Sequence, residues 1–155
     1  MGGRFYETWP MDVLHYGGVI SAECNITLDI PAAQTVCNEW CGELVFSSFE
    51  IGNWLITLDD FYKNADYNPA ALAYKIYPKS TTGRESWDLT AMLYAIRPDA
   101  QYWYTHPYGK VSVNDKGITS FVTEENGKHT YLIPRMDYKE IVKIINCITT
   151  SSRLY

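Results

Sequence analysis

Glu23 and Asn25 stand two residues apart and put a carboxylate beside a carboxamide. On an extended segment, alternate side chains share one face, so both groups aim the same way and can grip the vicinal hydroxyls of a sugar. The same spacing also suits an ordinary polar loop. Asp88 is expected in the first turn of a helix, where a carboxylate either satisfies free N–H groups and the helix dipole or serves as a metal ligand. Trp87 beside it is either a core side chain or a flat surface on which a heterocycle can stack.

The surrounding pattern predicts the elements that must position these groups. Ala32, Ala33, Val36, Cys37 and Trp40 recur at helical spacing, with Pro31 in the first turn, and predict a helix over 31–40. Leu44 to Ser48 reads as a short buried strand feeding the next helix. Asn68 and Pro69 form an N-cap and first helical position for a helix running to Tyr77, where Pro78 stops it and a polar loop from Lys79 to Glu85 follows. Ser86 is the expected N-cap of a helix through Leu89, Met92, Leu93 and Ile96, ended by Pro98, which places Asp88 in its first turn.

Beyond Pro98 the period changes to two. Strands are expected at 101–105, 110–113, 118–123 and 130–133, with turns at Asn114-Asp115-Lys116-Gly117 and Asn126-Gly127. Asp137 and Glu140 form a candidate capping box for a last helix with the stripe Ile141, Ile144, Ile145 and Ile148. Together these imply an α/β fold: an open, mostly parallel, Rossmann-like sheet followed by C-terminal antiparallel hairpins and a terminal helix. No repeat or linker divides the chain, so residues 1–155 are read as one domain. In such sheets ligands bind outside the carboxyl ends of strands, where helices begin.

With 46% hydrophobic residues the chain can bury a sizeable core. Its 13 basic and 18 acidic residues give a formal charge of -5, with no basic block to hold phosphate backbones or anionic lipid, so neither nucleic acid nor a membrane surface is an expected partner. No run of about 18 apolar residues could span a bilayer, and no targeting segment is seen; the default compartment is cytoplasmic. Cys24, Cys37, Cys41 and Cys147 are too few for a disulfide scaffold. Cys37 and Cys41 lack a partner pair at zinc-finger spacing, and His15, His106 and His129 belong to no nucleophile motif.

Several segments, in order, resemble nucleoside hydrolases of the inosine-uridine type. Met1-Gly2-Gly3 is similar to the family's Met-Gly-Gly strand end, Glu23-Cys24-Asn25-Ile26 to its Glu-x-Asn segment, and Asp29 with Ala32-Ala33 to its Asp-x-x-Ala-Ala stretch. The run from Val45 to Gly52 resembles the Phe-Ser-Gly-Phe-Glu-Ile-Gly string of a bacterial branch, with Ser48 replacing the glycine. Ser86-Trp87-Asp88-Leu89-Thr90-Ala91 is similar to that branch's Ser-Trp-Asp-x-Thr-Ala, and Tyr108-Gly109-Lys110-Val111 with Gly117 to the following hairpin. The resemblance spans nearly the whole chain and corresponds to the C-terminal portion of the family fold.

That resemblance implies hydrolysis of the N-glycosidic bond of a ribonucleoside by a calcium-bound water, with Asp88 as a calcium ligand. Glu23 and Asn25 would hold the ribose hydroxyls, Glu23 would stabilise positive charge on the sugar, Met1 would line the sugar pocket, and Trp87 would stack on the base. The chain departs from the family at three places. Trp87 stands where many members carry a histidine acid, and Tyr16-Gly17-Gly18 replaces a stretch with a sugar-binding asparagine. The Asp-x-Asp-x-x-x-Asp-Asp segment that completes the calcium site is not present in the sequence. Calcium takes about six to eight oxygens, so the expectation is an incomplete site, inactive in the isolated chain, with the N-terminal half of the family fold missing. Uncovered central strands would favour a homo-oligomer or a partner supplying that half. The alternative is a non-catalytic sugar- or nucleoside-binding module, or an interaction domain built on the tyrosines.

Overall fold

The computed structural model describes residues 1–5, 22–59, 63, 68–77 and 82–150. His15, the Tyr16-Gly17-Gly18 stretch, Pro78 and residues 79–81 of the expected loop lie outside the described residues.

The larger sheet contains β1 (Leu44–Phe46), β4 (Trp103–Thr105), β5 (Gly109–Val113), β6 (Thr119–Thr123) and β7 (His129–Pro134). Its order is β1-β7-β5-β6, and β4 pairs with β7 as well. β1 runs parallel to β7, with Leu44 opposite His129 and Phe46 opposite Tyr131. The β5–β6 and β4–β7 ladders are antiparallel. A second, two-stranded antiparallel sheet joins β2 (Ile56–Thr57) to β3 (Arg84–Glu85).

The fold is therefore α/β with an open sheet, C-terminal antiparallel strands and a terminal helix, as expected. The mostly parallel, Rossmann-like pairing expected from the sequence is not what forms: among the described residues parallel pairing is confined to β1 and β7, and the sheet is mostly antiparallel. β4 and β5 run one way and β6 and β7 the other, joined by the short turn between β5 and β6, and a short turn can only produce antiparallel neighbours. The β5–β6 turn shows the local chemistry. Asn114 Oδ1 accepts from the Lys116 and Ile118 amides, and Gly117 sits at φ +75, a region that side chains with a Cβ rarely adopt.

Six helices are described: α1 (Cys24–Leu28), α2 (Ile30–Glu39), α3 (Phe49–Trp54), α4 (Pro69–Ile76), α5 (Trp87–Ile96) and α6 (Tyr138–Thr150). Asp29 caps α2 by accepting from the Ala32 amide, and Asn68 caps α4 by accepting from the Ala70 and Ala71 amides. Two other caps differ from expectation. Ser86 occupies the N-cap of α5, but its hydroxyl pairs with Thr57 Oγ1 at 2.5 Å and ties the helix start to β2. The Glu140 side chain bonds Lys143, and the Asp137 carboxylate accepts from the Lys139 amide, so no reciprocal box forms.

The main core gathers Ile51 and Leu55 from the α3 end, Leu93 of α5, Trp103 of β4, Leu132 of β7, and Ile141 and Ile145 of α6. Burying each aliphatic side chain contributes roughly 1.5–3 kcal/mol relative to exposure. This cluster fixes α5 against α3 and so fixes Asp88. A second cluster packs Phe5, Cys37, Val111 and Tyr131 on the other side of the sheet. No helix among the described residues is long and apolar enough to cross a membrane.

Candidate functional site

Glu23 and Asn25 do not lie on an extended segment. Glu23 is the N-cap of α1, and Asn25 is already helical. The Glu23 carboxylate bends over the helix start, where Oε1 accepts from the Asn25 amide at 3.0 Å and Oε2 from the Ile26 amide at 3.3 Å. The reason is local: with no acidic side chain in the first turn of α1, the open amides draw in the capping carboxylate. Glu23 is only 3% exposed, and each of its oxygens keeps a second lone-pair direction for a ligand hydroxyl. Asn25 is exposed; its Nδ2 donates to Met1 Sδ at 3.2 Å, and its Oδ1 accepts no hydrogen bond from the described residues.

The first residues reach this place along the carboxyl end of β1. The Gly2 amide donates to Ser47 O, the Phe49 amide to Gly3 O, and the Arg4 amide to Thr119 Oγ1. Phe5 then inserts between Phe46, Phe121 and Tyr131, an anchor that holds Met1 beside Asn25.

Trp87 opens α5 and rests on α3. A Cβ built on Gly52 would fall 2.3 Å from Trp87 Cα, so only glycine allows the two helices to approach this closely. The Trp87 indole stacks on Phe49 with ring centres 5.4 Å apart, and its Nε1 donates to Phe49 O at 3.0 Å. That N–H is therefore committed within the protein. Arg4 places its guanidinium 3.9 Å from the centre of the same Phe49 ring. Asp88 sits in the first turn of α5, as expected, and is exposed.

A cavity of about 260 Å³ is lined by Met1, Glu23, Cys24, Asn25, Phe49, Arg84, Trp87 and Asp88. It brings together all five residues singled out in the sequence, drawn from three stretches of chain. It also contains three that sequence reasoning missed: Cys24, Phe49 and Arg84. Cys24 lies inside the Glu23-to-Ile26 segment and Phe49 inside the Val45-to-Gly52 run, so adjacency is a usable signal for both, whereas Arg84 stands in an expected loop and carries none. Arg84 and Trp87 also line two further cavities, of about 860 and 370 Å³, on the side of Tyr77.

The donors in this cavity do not fit a calcium ion. Asp88 is one carboxylate, Glu23 is bent onto its own helix, and among the described residues no three acidic, histidine or cysteine side chains gather where they could hold a metal. The two described histidines lie outside the cavity and are packed into the late sheet. His129 is buried and accepts from the Val111 amide through Nδ1, and burial with the nearby Lys110 charge lowers its pKa from the usual value. His106 stacks on Tyr131 with ring centres 4.5 Å apart. All four cysteines are free thiols, and burial raises the pKa of Cys37.

No protein-family model and no curated protein sequence matches the chain.

Proposed function

We propose that the Glu23–Asn25–Asp88 cavity is a ribose-binding site of the nucleoside-hydrolase type, and that the chain by itself binds a ribonucleoside or related sugar without cleaving it. One observation carries this reading: the five residues that the family resemblance marks as ligand-binding line a single cavity. Nothing in their spacing, across the 86 positions between Met1 and Asp88, requires that convergence.

The chemistry available matches recognition better than turnover. Glu23 and Asn25 supply acceptors for vicinal hydroxyls, Asp88 a further carboxylate, and Phe49 with Trp87 an apolar wall. Turnover of an N-glycoside needs a positioned water and help for the departing base. The Trp87 N–H is spent on Phe49 O, and the calcium of the resemblance requires oxygens from outside the described residues, from another chain or another part of a larger assembly. A homo-oligomer or a partner polypeptide is the proposed source.

The test is thermal unfolding of the chain with and without ribose, beside a nucleosidase assay with and without a chelator. A ligand at a hundred times its Kd stabilises the folded state by about 2.7 kcal/mol. The expected result is stabilisation by ribose, lost in Asn25→Ala, with no release of free base. Chelator-sensitive turnover by the isolated chain would overturn the binding-only reading, and absence of any ribose effect would overturn the site.

A further inference from the structure

We propose that Arg84 is a specificity-determining residue for the planar group attached to the sugar, and that it selects a base edge carrying two hydrogen-bond acceptors. This rests on the ribose-binding reading above and adds the class of base.

Arg84 and Trp87 stand at the meeting of the cavities. They line the 260 Å³ cavity that holds Glu23, Asn25 and Asp88, and also the 860 Å³ and 370 Å³ cavities toward Tyr77. The smaller space falls below the roughly 300–1,000 Å³ usual for pockets that enclose a ligand of drug size. A base attached to a sugar seated at Glu23 and Asn25 therefore extends past Arg84 and Trp87 into the neighbouring space. The two residues are its gateposts.

The two gateposts differ in what they can offer. Trp87 presents ring surface only, since its one donor is bound to Phe49 O. Arg84 presents donors. Its backbone is held in β3 opposite Thr57, its guanidinium lies 4.1 Å from the centre of the Tyr77 ring, and among the described residues that guanidinium makes no hydrogen bond or ion pair. The Tyr77 face braces the planar group, which limits the side-chain freedom lost when a ligand binds. A braced guanidinium with free N–H groups is matched by two acceptors side by side, the ring nitrogen and carbonyl oxygen of a guanine-type edge. An adenine-type edge replaces one acceptor with an amino donor and leaves an N–H facing an N–H. Glu85 and Asp88 share these walls and disfavour an anionic group at the same place, which argues for a neutral base over a phosphate.

The experiment is calorimetric titration of the full chain with guanosine, adenosine and ribose, for the wild type, Arg84→Ala and Arg84→Lys, with circular dichroism to confirm each fold. The expected wild-type preference for guanosine over adenosine is roughly five- to a hundredfold. Arg84→Ala should remove that preference, with a larger loss for guanosine than for ribose, and Arg84→Lys, a single point charge, should restore only part of it. A preference retained in Arg84→Ala, or a wild type that does not distinguish the two nucleosides while binding ribose, overturns the role of Arg84 alone. A wild type that binds neither ribose nor nucleoside overturns the ribose-site reading and this inference with it.

Discussion

The late sheet and the cavity are held together in different ways. From β5 to β7 support is shared among many contacts: five residue pairs join β5 to β6, and Tyr131 is stacked by Phe5 and His106 and met edge-on by Phe121. The cavity takes one residue from the first five, three from the start of α1, one from the start of α3 and three from the β3–α5 junction, and several of its placements rest on a single residue. Gly52 alone permits the approach of Trp87, and the Glu23 carboxylate alone closes the open end of α1. A sheet distributes its stabilisation, whereas a site assembled from separate stretches concentrates it. Damage to the first should register as lost stability, and damage to the second as lost binding.

The largest effect on stability belongs to the sheet. Tyr131→Ala should cost about 4 kcal/mol, read from urea unfolding, because it empties a fully buried position between stacked rings. A loss under about 1 kcal/mol would break the contrast, since the sheet would then not depend on its core. Gly52→Ala should cost about 2 kcal/mol by forcing α3 and α5 apart, and should also abolish stabilisation by ribose. Ribose protection that survives in this variant would show that the position of Trp87 does not control the cavity.

Glu23→Gln should lower stability by about 1 kcal/mol, since a carboxamide keeps one accepting oxygen where two now serve two amides. Its ribose affinity should fall more steeply than its melting point, and proportionate changes would argue for a purely structural cap.

Acid should act through the sheet. Because His129 is buried neutral with a lowered pKa, the unfolded chain binds the extra proton first as pH drops. The contribution of His129 is therefore intact above about pH 6.5, the ordinary histidine value, and is lost as pH falls through the lower folded value. Unfolding free energies measured from pH 7.5 to 5 should decline more steeply for the wild type than for His129→Gln, which can accept the Val111 amide without titrating. Parallel profiles would remove His129 from the account. The smallest stability change is expected for Asp88→Asn, about 0.5 kcal/mol from its exposed place in the first turn of α5, so any loss of ribose binding there reports the site itself.

Much of the fold was legible because its signals are local. The Asn68-Pro69 start of α4, the Asn114-to-Gly117 turn and the Ile141 and Ile145 stripe of α6 each depend on neighbours within a few residues, and each is found where the pattern placed it. The site was legible only as separate names. The spacing of Glu23 and Asn25 suits an extended pair and a helix start equally, and the competition is decided by which amides lack acceptors. Arg84 gave no signal, since an arginine in a polar loop has the same spacing whether it faces water or a cavity.

The sequence by itself determined most of the element types from Pro31 onward, the Asn68 cap, the Asn114-to-Gly117 turn, and the absence of a basic block or long apolar span. Those follow from backbone sterics and hydrophobic periodicity, which act over a turn or a strand pair. Only the tertiary structure decided that β1 lies parallel to β7, that Gly52 sits beneath Trp87, and that Met1, Glu23, Asn25, Arg84 and Asp88 face one cavity. Such contacts join residues tens of positions apart, and they are selected by close packing of the whole core, which no local spacing encodes.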